Sequence, residues 1–237
     1  MTLNIKKTHS ERLMPLIDRL LAETGLEREE IEAVAVSAGP GSFTGLRIGV
    51  STARALSQGL QIPAVSVCTL SALAEAVPTP GTLICPILDA RRSQVYTALF
   101  KRSAEPPYHL KTVLEPQAIA LSELLGFIAT GSCAGSTNDP EHSSPLPDRD
   151  KHEASANVVF TGEGLQSYRE ELKKALPNRA VITPSPFRLC RAVLVALRGR
   201  ALLEENPRAS YLEVLPQYLR RSEAERKAVD QKGGSKP

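Results

Sequence analysis

The stretch Ser37–Gly49, SAGPGSFTGLRIG, packs glycine, proline and hydroxyl side chains between an apolar run and a helix-like run. Such a junction suits anion binding, because a glycine loop and a helix's first turn both present backbone N–H groups. Gly39, Gly41, Ser42 and Thr44 are therefore the candidate phosphate loop. The fingerprints are incomplete. A P-loop needs GxxxxGK[ST], and no lysine lies between Lys7 and Lys101. A dinucleotide loop needs GxGxxG, but Thr44 stands where the third glycine belongs. It also needs an acid for the ribose, and no Asp or Glu lies between Glu32 and Glu75. Metal chemistry fares no better. His9, His109, His142 and His152 include no HxxxH pair, and Cys68, Cys85, Cys133 and Cys190 form no CxxC. His9 reads as a hydrogen bonder at a helix start. Asp89 beside Arg91 and Arg92 reads as a polar hairpin turn, since Asp bonds its own backbone there. No nucleophile–base constellation is legible, so no catalytic residue is assigned.

The elements around these residues follow from periodicity. Leu13, Leu16, Ile17, Leu20 and Leu21 recur at helical spacing after a capping-box-like Thr8–Glu11 or a capping Ser10, with Gly25 as the stop. IEAVAVSA, residues 31–38, reads as a buried strand, residues 44–59 as a helix and residues 63–67 as a second strand. A helix starting at Thr69 or Ser71 ends before Pro78-Thr79-Pro80-Gly81, the expected domain boundary. Residues 83–88 and 94–100 form a hairpin. A helix at 121–128, a strand at 158–160 and helices at 165–176 and 189–204 follow, with 211–219 extended. Residues 130–156 are rich in Ser, Gly, Pro and Asp and read as a disordered loop. Strands alternating with helices make the class α/β. On the helix at 44–59, Gly45, Gly49, Ala53 and Ser57 recur every fourth residue. This small-residue stripe serves either packing within the domain or close approach of a partner helix.

The chain of 237 residues is 42% hydrophobic and 23% charged, with net charge +3, ordinary values for a soluble globular protein. No apolar run reaches membrane-spanning length, and no signal sequence opens the chain, so a cytoplasmic protein is expected.

HSERLMPLIDRLL and AVSAGPGSFTGLRIGVSTARAL, then in order ILDARRSQVYTALF, VVFTGEGLQSY and PQYLRRSEAE, resemble the TsaB (YeaZ) family over nearly the whole chain. The resemblance implies an actin-like, ribonuclease-H-type fold of two lobes. It implies a protein that is not itself a catalyst and binds no cofactor alone. Such proteins pair with a TsaD-like transferase, which moves a threonylcarbamoyl group from its adenylate to the adenosine beside the anticodon. A TsaE-like ATPase joins them, ATP is used by the complex, and tRNA is met indirectly; a homodimer is an alternative pairing. The family pairs through helices matching residues 8–22 and 44–59. This makes Leu13, Leu16, Ile17, Leu20, Gly45, Gly49 and Ala53 the expected partner interface. The transferase relative holds a metal with an HxxxH pair that this sequence lacks.

Two departures from the family stand out. Members begin with a strand carrying Asp-Thr-Ser and a hairpin, whereas Leu3–Lys6 here matches only the third strand. The first lobe, residues 1–78, is thus expected to miss its N-terminal strands, with a truncated reading frame as the preferred explanation and a split or altered lobe as the alternative. The second lobe is expected over 79–205 with its insertion at 130–156, and residues 206–237 as an extended segment and tail. Two competing activities are an independent ATP-binding actin-like kinase or hydrolase and a metallopeptidase. The absent phosphate-loop lysine, starting Asp strand and histidine pair argue against them.

Overall fold

The computed structural model describes residues 10–91, 93–130 and 156–220. Helix α1 spans Ser10–Thr24 and ends at Gly25, whose left-handed φ of 69° stops it as expected. Strand β1 (Val34–Gly39), helix α2 (Phe43–Leu60) and strand β2 (Ala64–Cys68) follow, with β1 and β2 paired in parallel. A short helix α3 (Thr69–Ala74) leads to the hairpin of β3 (Leu83–Asp89) and β4 (Gln94–Arg102), then to β5 (Leu110–Ala120) and α4 (Leu121–Thr130). Strand β6 (Val158–Thr161), α5 (Leu165–Ala175), β7 (Ala180–Ile182) and α6 (Ala192–Glu205) complete the regular structure. The expected loop at 130–156 falls almost wholly outside the described residues, as do Leu3–Lys6 and the tail beyond Arg220.

Two compact units result. The first joins the residues up to Ala72 with those from Arg191 on; the second is continuous from Leu73 to Cys190. The division falls inside α3, not at the Pro78–Gly81 cluster, and α6 belongs to the first unit rather than the second lobe. A Pro/Gly turn marks where the chain bends, whereas unit membership follows which surface each element buries.

In the first unit the β1–β2 pair lies between two helices. Successive strand residues face opposite sides. Val36 faces α2, where it meets Gly49, and Ala38 and Ala64 share a core with Val50 and Val214. Ala35, Val65 and Val67 face α6, which approaches so closely at Gly199 that a Cβ there would collide with that of Ala35. Packing on both sides explains why the two strands read as mostly apolar rather than alternating, with Ser37 and Ser66 as their polar residues.

The second unit holds a five-stranded sheet of order β5-β4-β3-β6-β7. β3, the first strand to enter, is central; it pairs antiparallel with β4 and parallel with β6. Ile87, Leu99, Leu114, Leu124, Phe160, Leu165 and Leu172 fill its core. Buried Arg102 fastens the start of this unit to β4. Its guanidinium donates to the carbonyls of Val77 at 2.8 Å, Tyr108 at 3.0 Å and Ala74 at 3.2 Å, and to Glu75 Oε2 at 2.9 Å. The expected extended segment at 211–219 is corrected at its start, where Tyr211–Glu213 forms a 3-10 turn capped by Ser210.

Candidate functional site

The glycine loop lies where β1 hands over to α2, and its residues have separate tasks. Gly39 has φ 136°, a value L side chains rarely adopt, and a Cβ there would run into the backbone carbonyl oxygen of Gln217. Gln217 returns a hydrogen bond, its N–H donating to Ala38 O at 2.7 Å. The C-terminal segment is thereby clipped backbone to backbone onto the end of β1. Ser42 is the N-cap of α2; its Oγ accepts from Gly45 N at 3.4 Å, and its carbonyl accepts from Leu46 N at 2.8 Å. Gly41 and Thr44 are exposed, and a Cβ on Gly41 would meet only the Leu46 side chain, at 3.6 Å. Of the candidate phosphate loop, Gly39 thus serves a backbone contact within the chain and Ser42 serves the helix.

The small-residue stripe turns inward. Ala53 and Ser57 are buried, and Ser57 Oγ donates to Ile62 O just past the helix end. A Cβ on Gly49 would meet Val36, and one on Gly45 would meet Ser42. Ala53 is thus covered within the chain, whereas Gly45 and Gly49 are half-buried. The reason is helical geometry: steps of four residues advance about 400°, so a row of four drifts by roughly 120°. The stripe starts on the flank of α2 and winds into the core beside Leu46 and Val50. The α1 positions sit differently. Leu13, Leu16 and Ile17 are half-buried, Leu20 is 40% exposed, and Met14 beside them is 44% exposed.

A surface cluster that the spacing did not reveal joins α2 to the C-terminal segment. Phe43 and Tyr218 stack with ring centroids 4.9 Å apart. Arg47 lies over the Phe43 ring at 4.1 Å, and its Nε donates to Tyr218 Oη at 3.3 Å. The two most distinctive motifs, GPGSFTGLRIG and PQYL, thus meet in space. A model of the TsaD family, described as tRNA N6-adenosine threonylcarbamoyltransferase, matches residues 4–228. The tRNA threonylcarbamoyladenosine biosynthesis protein TsaB of Bacillus subtilis is 30% identical over 226 residues, 95% of this chain and 86% of that protein.

The chain belongs to the TsaB (YeaZ) family.

The TsaB of Escherichia coli is 32% identical over 118 residues, 48% of this chain and 51% of that protein. Two solved structures share the fold, both at TM-score 0.64. One is an uncharacterized Pseudomonas aeruginosa protein with similarity to peptidase YEAZ, 24% identical, covering 91% of this chain and 86% of its own. The other is YeaZ from Pseudomonas aeruginosa, 23% identical, covering 90% and 85%. The α/β architecture is the actin-like, ribonuclease-H-like one of the TsaB family.

Elsewhere the family motifs prove structural. In ILDARRS, Asp89 Oδ1 accepts from Arg91 N at 2.7 Å, the expected hairpin-turn bond. Tyr168 of the GEGLQSY motif donates weakly to the same oxygen at 3.5 Å, and its pKa is raised by burial and then by the Asp89 charge. Gly162 and Gly164 let the turn before α5 touch the Ile87 backbone, with Gly164 N donating to Ile87 O at 3.0 Å. Among the described residues no three His, Cys, Asp or Glu come together as a metal-holding group, and no helix is long and apolar enough to cross a membrane. His109 is exposed; His9, His142 and His152 lie outside the described residues.

Proposed function

We propose that this chain is a non-catalytic subunit of the assembly that places threonylcarbamoyl on the tRNA adenosine beside the anticodon. It pairs with a TsaD-like transferase subunit, and a TsaE-like ATPase joins the pair. ATP is consumed by the assembly rather than by this chain alone, in the cytoplasm, and tRNA is reached through the partner. The observation that carries this reading is family likeness across 95% of the chain to a protein named for threonylcarbamoyladenosine biosynthesis. Absence of the HxxxH pair from the sequence supports the non-catalytic part.

The docking face is α1, where Leu13, Leu16, Ile17 and Leu20 form one contiguous stripe, together with the outward side of α2. An amphipathic helix that leaves Met14 and Leu20 exposed has apolar area to bury against a partner. The test has two arms. Titration calorimetry of the full chain into the transferase subunit should show a saturable complex, weakened by Leu20→Asp. Mass spectrometry of tRNA nucleosides from cells depleted of their own TsaB should show the modified adenosine restored by this chain only when the transferase is present. Transfer by the isolated chain, or no complex, would refute the reading.

A further inference from the structure

Strand β1 has one paired edge and one open edge. Val34 N–H donates to Pro63 O at 3.0 Å, so Val34 and Val36 turn their backbone groups to β2. Ala35 and Ser37, one residue out of step, turn theirs the opposite way. Among the described residues no backbone group bonds them there; Gln217 reaches the strand only at its end, on Ala38 O at 2.7 Å. Burial agrees independently. Residues 34–37 are half-buried although helices pack on both faces, whereas Ala64, Val65 and Val67 of β2 are buried. Val34–Gly39 also carries no charge and no proline, the usual protection of an exposed edge. Unpaired backbone beside apolar packing is costly, so this edge calls for another extended strand.

We propose that Leu3–Lys6, which lies before the described residues, pairs in parallel with the open edge of β1. Leu3 and Ile5 alternate with Asn4 and Lys6, the pattern of a half-buried strand, and Lys6 is the kind of charge that protects a new edge. The connection has the right parts. Parallel neighbours need a crossover of about a dozen residues or more, usually helical, and residues 7–33 contain the 15-residue α1. At about 1.5 Å per residue α1 runs about 22 Å, enough to return along the roughly 20 Å of β1. β1, α2 and β2 already form one such unit on this sheet. The other stretches outside the described residues fit poorly. Residues 131–155 fall within the second unit and contain Pro140, Pro145 and Pro147, which cannot donate to a ladder. Residues 221–237 are strongly charged, with Val229 as their one β-branched residue. A second copy at micromolar concentration would compete with a tethered segment whose effective concentration is about millimolar.

The experiment is backbone NMR of the full chain. Cross-strand nuclear Overhauser contacts in the parallel pattern are expected between residues 3–6 and 34–37. The Ala35 and Ser37 amides should exchange about as slowly as that of Val36, which faces β2. Asn4→Pro and Ile5→Pro test the same pairing from its other side, since alternate N–H groups face β1 and one of the two prolines removes a donor. That variant should speed exchange at Ala35 or Ser37 by about tenfold, and by more than at Val36. Melting curves show whether each variant folds; if one does not, the wild-type contacts decide. Absence of those contacts in wild type, contacts in the antiparallel pattern, or fast exchange at both amides overturns the proposal. Protection that grows with protein concentration and survives both prolines assigns the edge to a second copy and overturns it as well.

Discussion

Gly39 and Gly41 are two residues apart and look alike in the sequence, yet their surroundings differ completely. A side chain on Gly39 would strain the backbone at φ 136° and displace the Gln217 carbonyl. Gly39→Ala should therefore lower unfolding stability by about 1–3 kcal/mol, whereas Gly41→Ala should stay within about 0.5 kcal/mol. Urea titration of both variants checks this; equal effects would remove the clip of the C-terminal segment onto β1. Cys85 gives a second residue-scale expectation. Burial pushes its thiol from an ordinary 9.0 up to about 12, with the Thr97 hydroxyl pulling weakly the other way at 3.3 Å. The folded chain keeps the proton that the unfolded chain loses first. The stabilisation is thus complete below pH 9 and is lost as pH rises toward 12. Iodoacetamide at about pH 8 should leave Cys85 unlabelled in the native protein and label it in urea, because only the thiolate reacts. Melts taken upward from pH 9.0 should lose stability less steeply in Cys85→Ala. Of these features, the loop itself was legible from its glycines, but which glycine mattered depended on a carbonyl 178 residues further along the chain.

At the scale of elements, helix α2 shows how a regular spacing misleads. A four-residue repeat seems to mark one face, yet the row spirals, so Gly49 lies against Val36 and Ser57 ends up buried. Gly49→Leu is accordingly expected to lower stability, by about 1–3 kcal/mol, before it affects pairing. Gly199 on α6 is the stronger case, since its missing Cβ is what lets α6 lie on Ala35; Gly199→Val should cost a similar amount, read by thermal melting. Arg102 ties α3's end to β4 through three hydrogen bonds and reaches the Tyr108 carbonyl with a fourth, and Arg102→Leu should cost about 3–5 kcal/mol, because it leaves the Glu75 carboxylate without its buried partner. Glu75→Gln should cost less, as the amide oxygen can still accept. Strand β5 was not legible. Pro116 interrupts it, and register shifts at Thr97/Leu99 and Leu99/Phe100 break its alternation; an edge strand tolerates both. β7, three residues long, carries too little sequence for any period.

For the whole molecule, the first unit is assembled from two ends of the chain, and the second is continuous. Removing residues from Pro207 onward takes Val214 out of the core it shares with Ala38, Val50 and Ala64. Hydrogen exchange should then accelerate in β1, β2 and α2 while β3, β4 and β6 keep their protection; uniform acceleration would contradict the division. What the sequence determined by itself was the α/β class, most element positions, the hairpin turn at Asp89 and the family, because each rests on local periodicity, turn chemistry or an unbroken motif. What only the tertiary structure decided was which elements share a unit, where the small-residue stripe points, and that Phe43, Arg47 and Tyr218 form one surface. Those depend on contacts between residues as far apart as Arg47 and Tyr218, and neither residue's neighbours in sequence encode which distant surface will come to cover it.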